Sequence, residues 1–177
     1  MFNSENNCYW RKFSELINAQ FVEGKYWHSA QTIYDYKGFK IIFDNYTLHS
    51  ISGKNSIDSY LTRIYVLFIC DKRLHLRLQE KSVLNRLLNV FNFNKFKGFN
   101  PLLEEIFIIT SNEKGSLNVF SKQIVNELFE SNIKYIFIDN NEGIWGGRLG
   151  VNQFELAAYI DTYNVDYSEL YKVKKTF

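Results

Sequence analysis

The sequence predicts an α+β protein with a mostly antiparallel sheet, and two observations lead to this fold class. Apolar residues change between helical spacing and strict alternation several times along the 177 residues, which indicates helices and strands in one chain. The predicted strands occur in groups and do not alternate regularly with helices, which argues against a doubly wound sheet. We expect a single domain over 1–177, with a division into 1–98 and 99–177 as an alternative.

The chain is predicted to begin with a helix and a hairpin. Over residues 5 to 22 the apolar side chains recur at helical spacing, as they do in an amphipathic helix. Residues 32 to 48 alternate instead, and Lys37-Gly38 interrupts them as a turn would. This stretch predicts a hairpin, with a third strand through Tyr46 and Leu48.

The next elements close the first half. Residues 52 to 56 are polar and contain glycine, so they predict a loop. Residues 60 to 70 and 74 to 78 predict two strands, which we expect to pair antiparallel because they are consecutive. Leu and Val side chains on one face predict a helix over 81 to 91.

The second half is predicted to be built around a buried strand. Residues 105 to 112 contain an apolar run that is too short for a helix and suits a strand covered on both faces. A helix is predicted over 121 to 130 and a strand over 135 to 139. A turn at 140 to 143 then leads into a hairpin strand over 144 to 149.

The chain is predicted to end with a strand and a helix. Residues 154 to 163 form the last predicted strand. Asp166 and Glu169 have the spacing of a capping box, and a short helix is expected over 166 to 174. Gly146-Gly147 interrupts the preceding strand, where glycine marks a bulge or a close approach of two backbone segments.

Composition limits the function classes. The 21 basic and 19 acidic residues leave a net charge of +2 and no strong overall field to attract nucleic acid or acidic lipid. Two cysteines in a chain with a sizeable core predict reduced thiols and a cytoplasmic location. No apolar segment has the length of a membrane span, so no membrane insertion is expected.

Several structural features of the sequence occur together: Trp10 of the early helix, Tyr60-Leu61-Thr62-Arg63, the loop at Gly98, Ile109-Thr110-Ser111-Asn112 and the closing hairpin. In these features the chain resembles a loosely defined group of uncharacterised bacterial α+β proteins. Such relatives place an acidic residue near an aromatic before the strand, whereas this chain has Leu103-Glu104-Glu105-Ile106-Phe107. The resemblance implies a fold and no activity.

Arg63 is the first candidate for a ligand site. It falls within a run that should be buried, and a buried guanidinium needs a partner. Asp44, Asp139, Glu104 or Glu105 could supply the carboxylate. Two interpretations remain open, a structural ion pair or a cleft that holds a small anionic ligand.

Two other stretches carry candidate residues. Arg148 ends a Gly-rich segment that superficially suggests a phosphate cradle, although its predicted hairpin setting favours a bulge. The loop over 91 to 99 interleaves aromatics with lysine, as platforms for single-stranded nucleic acid do. Core closure by the rings is the alternative. The interaction candidates in this loop are Phe93, Lys95, Phe96, Lys97 and Phe99.

No stretch carries a recognisable catalytic, cofactor or metal motif. His28, His49 and His75 lack the spacing of zinc ligands, and His75 is expected on the wet face of its strand beside Arg77. We therefore expect no metal, cofactor or catalytic residue and predict a non-enzymatic module that binds another macromolecule, with a protein as the partner. The alternatives are a hydrolase or transferase using Arg63 and carboxylates, and single-stranded nucleic-acid binding through the 91 to 99 loop.

Overall fold

The computed structural model describes residues 2–26, 28–52, 55–81, 101–112, 122–144 and 146–176. These residues contain four helices and eight strands. The helices are α1 (Phe2–Ile17), α2 (Pro101–Ile106), α3 (Lys122–Glu130) and α4 (Tyr167–Thr176). The strands are β1 (Gln20–Val22), β2 (Gln31–Tyr36), β3 (Phe39–Ser52), β4 (Asn55–Ile69), β5 (Leu76–Glu80), β6 (Phe107–Ser111), β7 (Ile133–Asp139) and β8 (Gln153–Ile160).

The strands form one sheet in the order β1-β2-β3-β4-β8-β7-β5-β6. The β2–β3 and β3–β4 hairpins are antiparallel, and β5 pairs antiparallel with both β6 and β7. The predicted α+β class with a mostly antiparallel sheet is therefore confirmed. None of the described helices is both long and apolar enough to cross a membrane.

The chain divides into two compact units. The first unit contains Met1–Val66 and Tyr159–Lys175, and the second contains Leu67–Ala158. The division falls within β4 and within β8, so each of these two strands contributes residues to both units.

Aromatic rings of α1 form one part of the core of the first unit. The indole of Trp10 and the ring of Phe13, both on α1, are fully buried. Phe13 meets Phe43 of β3 edge to face at 5.3 Å and stacks on Tyr167 of α4 at 5.6 Å. These contacts pack the apolar face of α1 against the sheet, as its helical periodicity predicts.

The core of the second unit includes one face of β5. Leu76 and Leu78 of β5 are fully buried. The other side chains that share this environment are Leu103, Phe107, Ile109, Val125, Leu128, Ile136 and Ile138. Helix α2 contacts both α3 and β6. The opposite face of β5 carries half-buried residues that include Arg77, so the two faces differ sharply in polarity.

Helix α1 is shorter than the sequence predicts. It ends at Ile17, and Asn18 adopts a positive φ of 54°. Asparagine tolerates this left-handed conformation, which is a common way to end a helix. Gln20–Val22 then forms β1 and pairs with β2, so the prediction of helix to residue 22 is wrong. The predicted helices over 121 to 130 and 166 to 174 are confirmed as α3 and α4.

Three predictions about the strands of the first half are also wrong. Tyr46 and Leu48 continue β3 and do not form a separate strand. In the loop predicted over 52 to 56, the described residues 52, 55 and 56 belong to strands, because Ser52 pairs with Asn55. Finally, β4 pairs with β3 and neighbours β8, whereas β5 lies between β7 and β6. Because β3 and β8 occupy the two edges of β4, neither edge is open to β5.

Two predictions for the second half need correction. Strand β6 is the last strand of the sheet order, and its residues Ile108 and Thr110 are half-buried, so it is not covered on both faces. No strand is found at 144 and 146–149, where the described residues contribute a single bridge between Asn141 and Arg148. The predicted helix over 81 to 91 falls, except for Lys81, outside the described residues.

Candidate functional site

Arg63 and Asp44 form a buried ion pair in the first unit. They face each other on β4 and β3. The Nε and Nη2 of Arg63 donate to the two carboxylate oxygens of Asp44 at 2.9 and 2.7 Å. Their exposed fractions are 5% and 3%. The bidentate geometry satisfies both acceptor oxygens at once, which a buried charge requires.

Polar and aromatic neighbours complete the surroundings of this pair. The Arg63 guanidinium lies 4.1 Å from the ring centroid of Tyr65 and 5.1 Å from that of Tyr46. Gln31 donates to Asp44 at 3.3 Å. This is the geometry of a structural ion pair, one of the two interpretations that the sequence left open. Glu104 and Glu105 lie on α2 in the second unit.

A second cluster of charges forms around Asp139, at the end of β7. We call His75, Arg77, Asp139, Asn140 and Arg148 the aspartate cluster. The register pairs Leu76 with Ile138, which brings the residues flanking these two positions side by side. His75 Nδ1 and Arg77 Nη2 each lie 3.2 Å from Asp139 Oδ2. An imidazole and a guanidinium thus both contact the same carboxylate oxygen of Asp139.

The other carboxylate oxygen of Asp139 is occupied from the loop that follows. The backbone N–H of Asn140 donates to Oδ1 at 2.8 Å. With its amide oriented to satisfy both ends, the Asn140 side chain donates to the same oxygen at 3.1 Å and accepts from Arg148 Nε at 3.1 Å. The cluster is therefore one continuous chain of hydrogen bonds that runs from Arg77 through Asp139 and Asn140 to Arg148.

The pKa of Asp139 reflects these contacts. Burial on its own would raise the pKa of this carboxyl, but hydrogen bonds from His75, the Asn140 amide and Arg77, with the charge of His75, outweigh burial. Together they lower the pKa of Asp139 from 3.8 to about 2. The carboxylate is consequently ionised throughout the physiological pH range.

Asn112 fixes the backbone that carries His75. The Asn112 side chain accepts from the His75 backbone N–H at 2.8 Å and donates to the carbonyl of Arg73 at 2.8 Å. The Asn112 backbone N–H also donates to the carbonyl of His75 at 3.1 Å. These bonds extend the β5–β6 pairing beyond the end of β5 and hold His75 in place beside Asp139.

The aspartate cluster keeps an excess of positive charge at a partly exposed surface. The side chains of His75 and Arg77 are each 26% exposed, and that of Asp139 is 18% exposed. Arg148 is exposed. With a neutral imidazole the two arginines and one aspartate sum to one positive charge. The Arg77 guanidinium also lies over the ring of Phe137, 5.5 Å from its centroid, which is a cation–π contact.

The structure thus unites some of the candidates from the sequence and separates others. Asp139 and Arg148 belong to one cluster, and Asp44 and Arg63 form another pair. His75, Arg77 and Asn140 were not named as ligand candidates, although the alternation around His75 placed it correctly beside Arg77. The interaction candidates Phe93, Lys95, Phe96, Lys97 and Phe99 lie outside the described residues.

Histidines and cysteines contribute no further cluster within the described ranges. His49 pairs with Asp58 across β3 and β4 at 2.7 Å, and both side chains are exposed. In the same ranges no group of three metal-ligating side chains is found. Cys8 is exposed, Cys70 is half-buried, and both are free cysteines.

Comparison of the chain with family models, with curated proteins and with solved structures finds no match.

Proposed function

We propose that this protein is a non-enzymatic binding module that holds an acidic group of a protein partner at the aspartate cluster. The observation that supports this proposal is the excess of positive charge there, because two arginines, Arg77 and Arg148, belong to a cluster with a single carboxylate. Each oxygen of Asp139 already has two donors. The exposed guanidinium of Arg148 uses its Nε within the cluster, and its terminal N–H groups suit a second carboxylate.

The number of basic groups favours a protein partner over nucleic acid. Nucleic-acid affinity arises from the neutralisation of several phosphates by lysine and arginine. The aspartate cluster supplies two arginines, one of which is paired with Asp139, and the whole chain has a net charge of +2. A single acidic side chain or a short acidic segment matches this charge better than a polyanion does.

The exposure of the cluster favours binding over catalysis. Sites for small substrates enclose most of the ligand surface, whereas Arg148 is exposed and its neighbours are partly exposed. Nucleophilic catalysis also needs a nucleophile hydrogen-bonded to the base. In the part of the chain that the structure describes, the recorded partners of His75 are Asp139 and Asn112.

We also propose that binding takes place in the cytoplasm. Cys8 is an exposed free thiol and Cys70 is a half-buried one. Thiols of this kind persist in reducing compartments.

The test is a titration of the protein into a fluorescein-labelled oligoglutamate peptide, followed by anisotropy. We expect binding that weakens with added salt, because the contact is made by exposed charges. Arg148→Gln should lower the affinity about fivefold, since it removes one charge-assisted contact of about 1 kcal/mol.

The matched control is Arg11→Gln, which makes the same change of charge at an exposed arginine of the first unit. It should leave the affinity unchanged. Equal binding of an oligoglutamine peptide, or an unchanged affinity in Arg148→Gln, would contradict the proposal. Tighter binding of a single-stranded oligonucleotide than of the acidic peptide would favour the nucleic-acid alternative.

A further inference from the structure

Glu155 is a buried carboxylate that the aspartate cluster does not contain. It lies on β8 and is 3% exposed. Its Oε1 accepts a hydrogen bond from the backbone N–H of Gly143 at 3.1 Å. Burial of a carboxylate is costly unless hydrogen bonds compensate it. The bond to Gly143, in the loop between β7 and β8, offsets part of this cost.

The same loop carries two members of the aspartate cluster. Leu149 N–H donates to the carbonyl of Asn140 at 2.8 Å, and Glu142 N–H donates to the carbonyl of Gly147 at 2.9 Å. These bonds flank Arg148 on either side. Backbone hydrogen bonds therefore join the two sides of the loop, and Arg148 lies at the position bridged to Asn141.

Two glycines set the path of this loop. Gly143 has a φ of 63°, a conformation that glycine adopts at little cost. A Cβ on Gly146 would lie 1.8 Å from the carbonyl oxygen of Glu142. The loop thus folds closely on itself, and the bond to Glu155 ties its turn to a strand of the sheet.

We infer that Glu155 is a positioning residue, which anchors the loop through Gly143 and thereby holds Arg148 in place for the acidic group of the partner. This inference rests on the proposed function. Glu155 does not touch the partner. Its effect on binding must therefore pass through Arg148, and the two residues should be energetically coupled.

Two variants separate anchoring from other effects of the carboxylate. Glu155→Gln keeps a side-chain oxygen that can accept from Gly143, so it should bind the oligoglutamate peptide like the unmodified protein. Glu155→Met fills a similar volume without an acceptor. It should weaken peptide binding about as much as Arg148→Gln does, about fivefold.

The decisive measurement combines a double-mutant cycle with amide hydrogen exchange. Arg148→Gln with Glu155→Met should bind no more weakly than either single variant, and multiplied losses would overturn the inference. In Glu155→Met the amides of Glu142 and Leu149 should exchange faster than in Glu155→Gln. Equal exchange in these two variants would also overturn the inference about Glu155, even if the peptide fails to bind. Failure of the peptide to bind counts by itself against the proposed function.

Discussion

Two arginine–aspartate pairs in this protein have different surroundings and different consequences. Arg63 and Asp44 are joined by two hydrogen bonds in a dry environment, with side-chain exposures of 6% and 4%. Arg77 shares Asp139 with His75 at a surface that is partly exposed. A dry pair has no room for another ligand, whereas a wet pair beside extra positive charge can attract one.

The buried pair should be sensitive to the loss of one partner. Asp44→Asn leaves the Arg63 guanidinium without its counter-charge, and we expect a loss of about 3–5 kcal/mol in the free energy of unfolding, measured with urea. Replacing both, Asp44→Leu with Arg63→Met, should recover much of that loss because no buried charge remains.

The comparison pair is Lys134 and Glu80, whose side chains are more exposed, at 25% and 22%, and whose N–O distance is 2.7 Å. Lys134→Gln should cost less than Asp44→Asn does, because this pair is better solvated. A small effect of Asp44→Asn, comparable with that of Lys134→Gln, would show that Arg63 finds other compensation.

The sequence analysis named Arg63 together with Asp44 as one of four possible partners, and it named Asp139 and Arg148 separately from each other. A charged residue within an apolar run requires an oppositely charged partner when it is buried, which is why Arg63 and Asp44 could be named. Arg77 and Asp139 are 62 positions apart, and their association depends on the pairing of β5 with β7. Nothing in the local pattern specifies such a long-range pairing.

At the scale of elements, the errors arise where tertiary contacts override periodicity. Phe21 continues the helical spacing of α1, yet it belongs to β1. The Arg11 guanidinium lies 4.7 Å from the Phe21 ring centroid, so this ring packs beside the helix from the strand. Apolar spacing alone cannot distinguish a last helical turn from a strand that returns along the helix.

The β7–β8 loop offers a direct test of its close packing. In Gly146→Ala the new Cβ would meet a backbone carbonyl at 1.8 Å, which a side-chain rotation cannot relieve. We expect a loss of about 1–3 kcal/mol in stability, the usual range for overpacking. The neighbouring Gly147→Ala is the control, because a Cβ there meets nothing within 4 Å. Equal stability of the two variants in urea would show that the loop can open at no cost.

At the scale of the whole molecule, fold class was predictable and strand order was not. Changes of periodicity and a short two-residue turn at Lys37-Gly38, where both residues have positive φ, specify antiparallel hairpins locally. The order of the remaining strands places β8 between β4 and β7, although β8 is last in the chain. That arrangement depends on which faces are buried after folding, which the sequence expresses only weakly.

The two units contain the groups that should limit stability at opposite ends of the pH scale. In the second unit, Asp139 has a folded pKa of about 2 against 3.8 for the free group. Its contribution, on the order of 2 kcal/mol, is fully present above the unfolded pKa. It is lost as the pH falls from about 4 towards 2, because the unfolded chain binds the proton first.

Tyr9 of the first unit should limit stability at high pH. Burial raises the pKa of this phenol well above its ordinary 10.0, and the charges of Tyr167, Asp166 and Glu169 add to the effect. Its hydroxyl also donates to the carbonyl of Val165. The folded state therefore retains this proton more tightly than the unfolded chain, so the stabilisation is present below pH 10 and decreases above it.

The lowered pKa of Asp139 and the raised pKa of Tyr9 predict that the free energy of unfolding is constant between about pH 5 and pH 9 and decreases separately on each side. Urea midpoints measured by circular dichroism across this range should show it. Asp139→Asn should flatten the acid limb and leave the alkaline limb unchanged, and Tyr9→Phe should do the reverse. Some acid slope should survive in Asp139→Asn, because the bonds from Ser168 also lower the pKa of Asp166. An acid limb that is equally steep in Asp139→Asn would mean that Asp139 is not held by His75 and Arg77 in solution, which would remove the basis of the proposed acidic-group site as well.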